Sequence, residues 1–100
     1  MSKFGMYVKF TAHAGQRDAL AKLLLESAES ANAFEECELY IVNISDTEPE
    51  TVWVTEVWSN EAAHDASLGL DETKAAIQRA MPLIAGVEPI KLQPIGGKGL

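Results

Sequence analysis

Thr51-Val-Trp-Val-Thr-Glu-Val-Trp-Ser-Asn-Glu-Ala-Ala-His64 reads as a strongly alternating strand that runs straight into a capped helix. Successive strand side chains point to opposite faces. Thr51, Trp53, Thr55 and Val57 therefore share one side, and Val52, Val54, Glu56 and Trp58 share the other. Both sides are largely apolar, which predicts that both are covered. Ser59 or Asn60 is placed to accept backbone N–H groups as the helix N-cap, with Glu61 near the positive end of the helix dipole.

Outward from this stretch the periodicities fall in the order strand, helix, strand, strand, helix, strand. Phe4, Met6, Val8 and Phe10 alternate with Gly5, Tyr7, Lys9 and Thr11 in a first strand, and residues 13–16 form a turn. From about residue 16 to 33, Leu20, Leu23, Leu24, Ser27, Ala28 and Ala31 recur at helical spacing. A second strand, about 37–45, alternates Leu39, Ile41 and Asn43 with Tyr40, Val42 and Ile44, and residues 46–50 make a loop that suits an antiparallel hairpin. The strand of the opening stretch is followed by a short helix, about 60–68. A longer helical run follows over 71–84, with Asp71 as its expected N-cap and Thr73, Ala76, Ile77, Ala80, Met81 and Ile84 as its inner stripe. Pro82 should kink or end that run. Val87, Ile90, Leu92 and Ile95 make a last strand, which Pro89 and Pro94 confine to an edge or an irregular path.

The 100 residues suit one compact domain over 1–100, with 47% hydrophobic and 23% charged residues. No run approaches the roughly 18 apolar residues of a membrane span, and Met1-Ser-Lys-Phe-Gly5 lacks the apolar core of a signal peptide. A cytoplasmic location is expected. Cys37, the single cysteine, forms neither an internal disulfide nor a zinc cluster, and is expected to be a buried strand residue. A net charge of −7 without a local basic cluster argues against nucleic acid as a partner. Gly96-Gly-Lys-Gly99 lacks the spacing and the following helix of a phosphate loop, and reads better as a tail able to cross to a partner chain.

The βαββαβ order is an α+β, ferredoxin-like arrangement: an antiparallel sheet with helices on one face. A lone chain leaves the other sheet face open. Because that face is also apolar, a second copy of the same chain is the simplest cover, so a homodimer is expected.

Four features resemble the antibiotic biosynthesis monooxygenase domain family, a group of dimeric α/β barrels that includes quinol monooxygenases. They are Phe10-Thr-Ala-His-Ala-Gly-Gln-Arg-Asp-Ala-Leu20; Glu56-Val-Trp58 with Ser59-Asn-Glu-Ala-Ala63; Lys74-Ala-Ala-Ile77; and Pro94-Ile-Gly-Gly-Lys-Gly-Leu100. The resemblance covers nearly the whole chain. It implies chemistry with no metal or organic cofactor, in which a deprotonated phenol or hydroquinone itself passes an electron to dioxygen. The protein would bind a small aromatic substrate, remove a proton and exclude bulk water. The haem-degrading branch is disfavoured: residues 4–12 contain no asparagine, the helical segment contains no tryptophan, and Ile77 follows Lys74-Ala-Ala76.

His64 is the candidate catalytic base, since imidazole titrates near neutrality; its alternative is a solvated helix residue. The family's helix histidine usually lies about two residues further along, at Ala66 or Ser67 here, a turn of roughly 200° around a helix. Trp58, Tyr40, Asn43, Glu56 and Tyr7 are the candidate substrate-binding residues, with Thr55 beside them. Trp58 is either a stacking wall or core. Glu56 must be paired or raised in pKa if buried, and pairing with Lys9 or Lys91 is the favoured reading. Tyr40 and Asn43 lie on opposite faces of one strand, so one pocket takes both only if a bulge intervenes. His13, in the first turn, has a capping or surface role. Two function classes follow: a cofactor-independent monooxygenase acting on a quinol or polyphenol, and a non-oxidative small-ligand-binding or isomerase-like dimer. A cavity of several hundred Å3 reached by His64 favours the first and a packed interior the second.

Overall fold

The computed structural model describes residues 3–100. In chain order it contains β1 (Phe4–Ala12), α1 (Arg17–Ala31), β2 (Cys37–Ile44), β3 (Thr51–Trp58), α2 (Glu61–Leu68), α3 (Asp71–Ala80), a 3₁₀ turn (Met81–Leu83) and β4 (Ile84–Leu92). The four strands form one sheet in the order β2-β3-β1-β4, with every neighbouring pair antiparallel. This is the ferredoxin-like α+β arrangement.

The register explains how one face becomes the core. Val8 pairs with Val54 and Phe10 with Val52 across β1 and β3, while Val42 faces Val54 from β2. These side chains project to one side, where α1 lays Leu20 and Leu24 on them. Leu20 and Val52 are 0% exposed and Val54 is 1%. The opposite face carries Tyr7, Ile41, Ile90 and Leu92, all exposed in the single chain. Among the described residues, no helix is long and apolar enough to cross a membrane.

Some local expectations hold and others change. Asn60 is the cap of α2, its Oδ1 accepting from the Ala63 N–H at 2.7 Å. Asp71, expected to cap α3, instead lies in its first turn; Leu70 holds the cap position in extended conformation without a side-chain bond. Pro82 ends α3 in the 3₁₀ turn. Gly86 sits inside β4, opposite Thr11 and next to the register shift at Thr11 and Ala12. β4 is an edge strand, which accommodates Pro89. Cys37 is half-buried rather than buried, because it begins the other edge strand at a register shift against β3. Ile77 and Met81 of the expected inner stripe are exposed because they line a cavity beneath α3 rather than packed core. Just beyond β4, Pro94 lies close to β1: a Cβ on Gly5 would stand 3.1 Å from its ring.

Two leucines of α1 test this packing. Leu20→Ala is expected to cost about 2–5 kcal/mol in denaturant unfolding, as for large-to-small changes in a closed core. Leu25→Ala, at a side chain 54% exposed, should stay within about 0.5 kcal/mol of the parent. Equal losses at the two positions would contradict the assigned helix face.

Candidate functional site

Three elements converge at one end of the covered sheet face. β3 ends there with Glu56 and Trp58 on its inner row, β2 places Tyr40 opposite Glu56, and α2 supplies His64. All four side chains line a cavity of about 660 Å3, within the roughly 300–1,000 Å3 usual for small-molecule sites. The space exists because the helices over it present small residues: Ser27 and Ala31 on α1, Ala76 and Ala80 on α3. Phe10 and Phe34 add aromatic walls, and Glu26, Glu72 and Arg79 contribute charge to the lining.

The Asn60 cap fixes where α2 starts and so sets the rotational phase of the helix. His64 consequently turns inward and is 7% exposed, which excludes the solvated-helix reading. Its ring lies 4.8 Å from Phe4 and 5.7 Å from Trp58, edge-on to the latter at 81°. His64 Nδ1 is 3.1 Å from Asp65 Oδ1. An ionised carboxylate only accepts, so Nδ1 carries the proton of a neutral ring and Nε2 is left as the accepting nitrogen. The Ser67 hydroxyl donates to the His64 carbonyl at 2.6 Å and steadies this turn.

Trp58 is 3% exposed and is both wall and packing element, with Phe34 at 6.0 Å. Its Nε1–H donates to Glu56 Oε1 at 3.0 Å. Burial raises the Glu56 pKa above its ordinary 4.5, while the Trp58 bond and the His64 charge pull the other way. Within the one chain and among the described residues, Glu56 pairs with neither Lys9 nor Lys91. Lys9 projects from the other face, 3.5 Å from Glu48 and 5.2 Å above the Trp53 ring; Lys91 reaches Glu61 at 2.9 Å.

Tyr40 makes no hydrogen bond among the described residues, and burial, reinforced by Glu56 and Cys37, pushes its hydroxyl pKa upward. It remains a proton donor. The Cys37 thiol is pushed up to about 11, chiefly by burial, and stays neutral.

Tyr7 and Asn43 must be removed from this cavity. Strand parity sends both to the opposite sheet face, where Tyr7 stacks on Trp53 at 5.5 Å and Asn43 Nδ2 donates to the Trp53 carbonyl at 3.2 Å. Thr55 falls on that face too. The register shift in β2 lies between Cys37 and Leu39, before Tyr40, so no bulge brings Asn43 round. Sequence reasoning missed Ser67 and Phe34. Ser67 sits three residues after His64, hence on the same helix face, whereas Phe34 lies in a connection with no periodicity to read. Among the described residues, no three His, Cys, Asp or Glu side chains are grouped as a metal-ligand set.

The family model for antibiotic biosynthesis monooxygenases matches residues 4–79. The chain belongs to this family. A solved structure from Chloroflexus aurantiacus J-10-fl, described as a candidate antibiotic biosynthesis monooxygenase, is 39% identical, covers 96% of each chain and has a TM-score of 0.87. A Deinococcus radiodurans protein of the same description is 22% identical over 94% of each chain, with a TM-score of 0.83. A Shewanella oneidensis protein is 21% identical over 93% of this chain and 91% of its own, with a TM-score of 0.85. At these lower identities the likeness shows the fold alone. No functionally curated protein matches the chain. Membership of the antibiotic biosynthesis monooxygenase family supports a monooxygenase-like role in general terms.

The buried carboxyl has a stability signature. Because the Glu56 pKa is raised in the fold, its protonated form is favoured there. The stability it contributes is present below the ordinary 4.5 and is lost as pH rises through the raised value. Glu56→Gln cannot ionise, so the melting temperature of the variant should gain on the parent as pH rises from 4.5 toward neutrality. A difference that is constant with pH would show that the carboxyl is not desolvated.

Proposed function

We propose that this protein is a cofactor-independent monooxygenase that oxidises a small quinol or related polyphenol with dioxygen. The observation that carries the reading is the convergence of an imidazole, a carboxylate, a phenol and an indole on one cavity of about 660 Å3. Its aromatic walls suit a flat ring. His64 Nε2 takes a proton from a ring hydroxyl, and Asp65 stabilises the imidazolium so formed. The electron-rich phenolate then reduces dioxygen directly. For a hydroquinone the balance is substrate plus dioxygen giving a hydroxyquinone and water: one oxygen atom enters the ring and the other leaves as water. The protein supplies proximity, proton removal and shelter from bulk water. Trp58 is the wall for the ring, while Tyr40 donates a hydrogen bond to one of its oxygens and Glu56 accepts one from a ring hydroxyl.

The working unit in this proposal is a homodimer. Tyr7, Ile41, Ile90 and Leu92 leave apolar surface on the open sheet face, and a second copy covering it would satisfy both subunits at once. Tyr7 and Asn43 then belong to that seam rather than to the cavity.

Oxygen consumption on adding a panel of hydroquinones tests the activity. Uptake above the uncatalysed rate is expected, falling about 100-fold or more in His64→Ala, the scale of a lost general base. Uptake no faster than without protein would favour the non-oxidative ligand-binding or isomerase-like alternative. Sedimentation at micromolar concentration tests the assembly: the parent should run as a dimer and Ile90→Glu as single subunits. A parent that runs as single subunits would overturn the dimeric unit.

A further inference from the structure

Glu56 is placed for more than holding the end of a strand. Its Oε1 is occupied by the Trp58 indole N–H, and among the described residues no donor is bound to Oε2. The indole therefore fixes the carboxyl plane on a side chain that lines the cavity, and leaves one oxygen for a guest. Opposite Glu56 in the register stands Tyr40, whose hydroxyl also lacks a protein partner among the described residues. Directly paired strand residues have Cβ atoms roughly 4.5–5.5 Å apart. Neighbouring side chains thus offer an open acceptor and an open donor. Neither lysine that the sequence offered as a counter-ion neutralises the acid.

We propose that Glu56 is a second general base of the cavity, its Oε2 taking the proton of a guest hydroxyl while the Tyr40 hydroxyl donates to an oxygen of the same guest. The inference rests on the reading of the cavity as a site for hydroxylated aromatics and extends it. The step is a proton transfer alone: the O–H bond of the guest breaks, a bond from Oε2 to that proton forms, the electron pair stays on the guest oxygen as a phenolate, and nothing is oxidised. A carboxylate in water is too weak a base to hold a phenolic proton for long. Burial of Glu56 narrows that gap. The groups that influence it are Cys37 and Tyr40 from β2, His64 from α2, and, around the cavity, Glu26 on α1 with Glu72 and Arg79 on α3. Cys37 and Tyr40 remain neutral, so His64 is the neighbour whose protonation opposes proton uptake by Glu56. Glu56 should accept best when the imidazole is neutral. A guest with two hydroxyls then has two separate acceptors, one for each proton lost on the way to a quinone.

The test uses para-nitrophenol, whose phenolate is coloured and whose phenol is not, bound to the full chain at a pH where the free probe is mostly phenol. The parent should bind the probe and raise its phenolate fraction. Glu56→Gln keeps an acceptor for the indole and should bind the probe while lowering the bound phenolate-to-phenol ratio about tenfold, the effect of one pKa unit. His64→Gln should leave a phenolate fraction above that of the free probe. A phenolate fraction in Glu56→Gln equal to the parent's would overturn the role of Glu56 and leave the cavity reading intact. Failure of the parent to bind the probe would overturn both. Circular dichroism of each variant, unchanged from the parent, separates these outcomes from misfolding.

Discussion

The inner row of β3 is the constraint on which the rest depends. Val52, Val54, Glu56 and Trp58 point the same way because strand side chains alternate, and β3 lies inside the sheet with a neighbour on each side. The first two residues are sealed by α1 and anchor the core. The last two lie beyond that seal, where α2 and α3 bridge over space instead of filling it. One row therefore passes from sealed core to cavity wall over four side chains, and the bond from Trp58 Nε1 to Glu56 Oε1 lies on the cavity side.

The polar groups of the cavity are supported locally. His64 is oriented by its neighbour Asp65 and by a helix start fixed at Asn60; Glu56 is oriented by the residue two positions along its own strand. Short-range support of this kind tolerates change elsewhere in the domain. It also explains how a small domain keeps a buried acid without a counter-ion: desolvation favours the neutral carboxyl, and the indole N–H meets one of its oxygens.

Much of this was legible in the sequence. Alternation gave the strand faces correctly, including the shared face of Glu56 and Trp58 and the opposed faces of Tyr40 and Asn43. Helical spacing located α1, and Pro82 and Pro89 marked a helix end and an edge strand. What escaped depended on contacts across the chain. The eight residues of α2 are too few to define an apolar stripe, so the inward turn of His64, set by the Asn60 cap and held by Phe4 and Trp58, is not readable from periodicity. The cap of α3 moved to Leu70 because the turn from Gly69 sets the helix start. The stripe of α3 was read as core, although small residues at Ala76 and Ala80 are equally what a helix needs to roof a cavity. The lysines proposed as partners of Glu56 pair instead with Glu48 and Glu61, acids that lie far from those lysines in sequence.

The two tryptophans, Trp53 and Trp58, stand on opposite faces of β3 and report on the two faces separately. The most direct test of a guest site on the Trp58 face is fluorine NMR of protein labelled with fluorotryptophan, titrated with a naphthalenediol under nitrogen. The resonance assigned to Trp58 should shift saturably while that of Trp53 stays in place. A saturable shift confined to Trp53, or none at either tryptophan, would contradict the account.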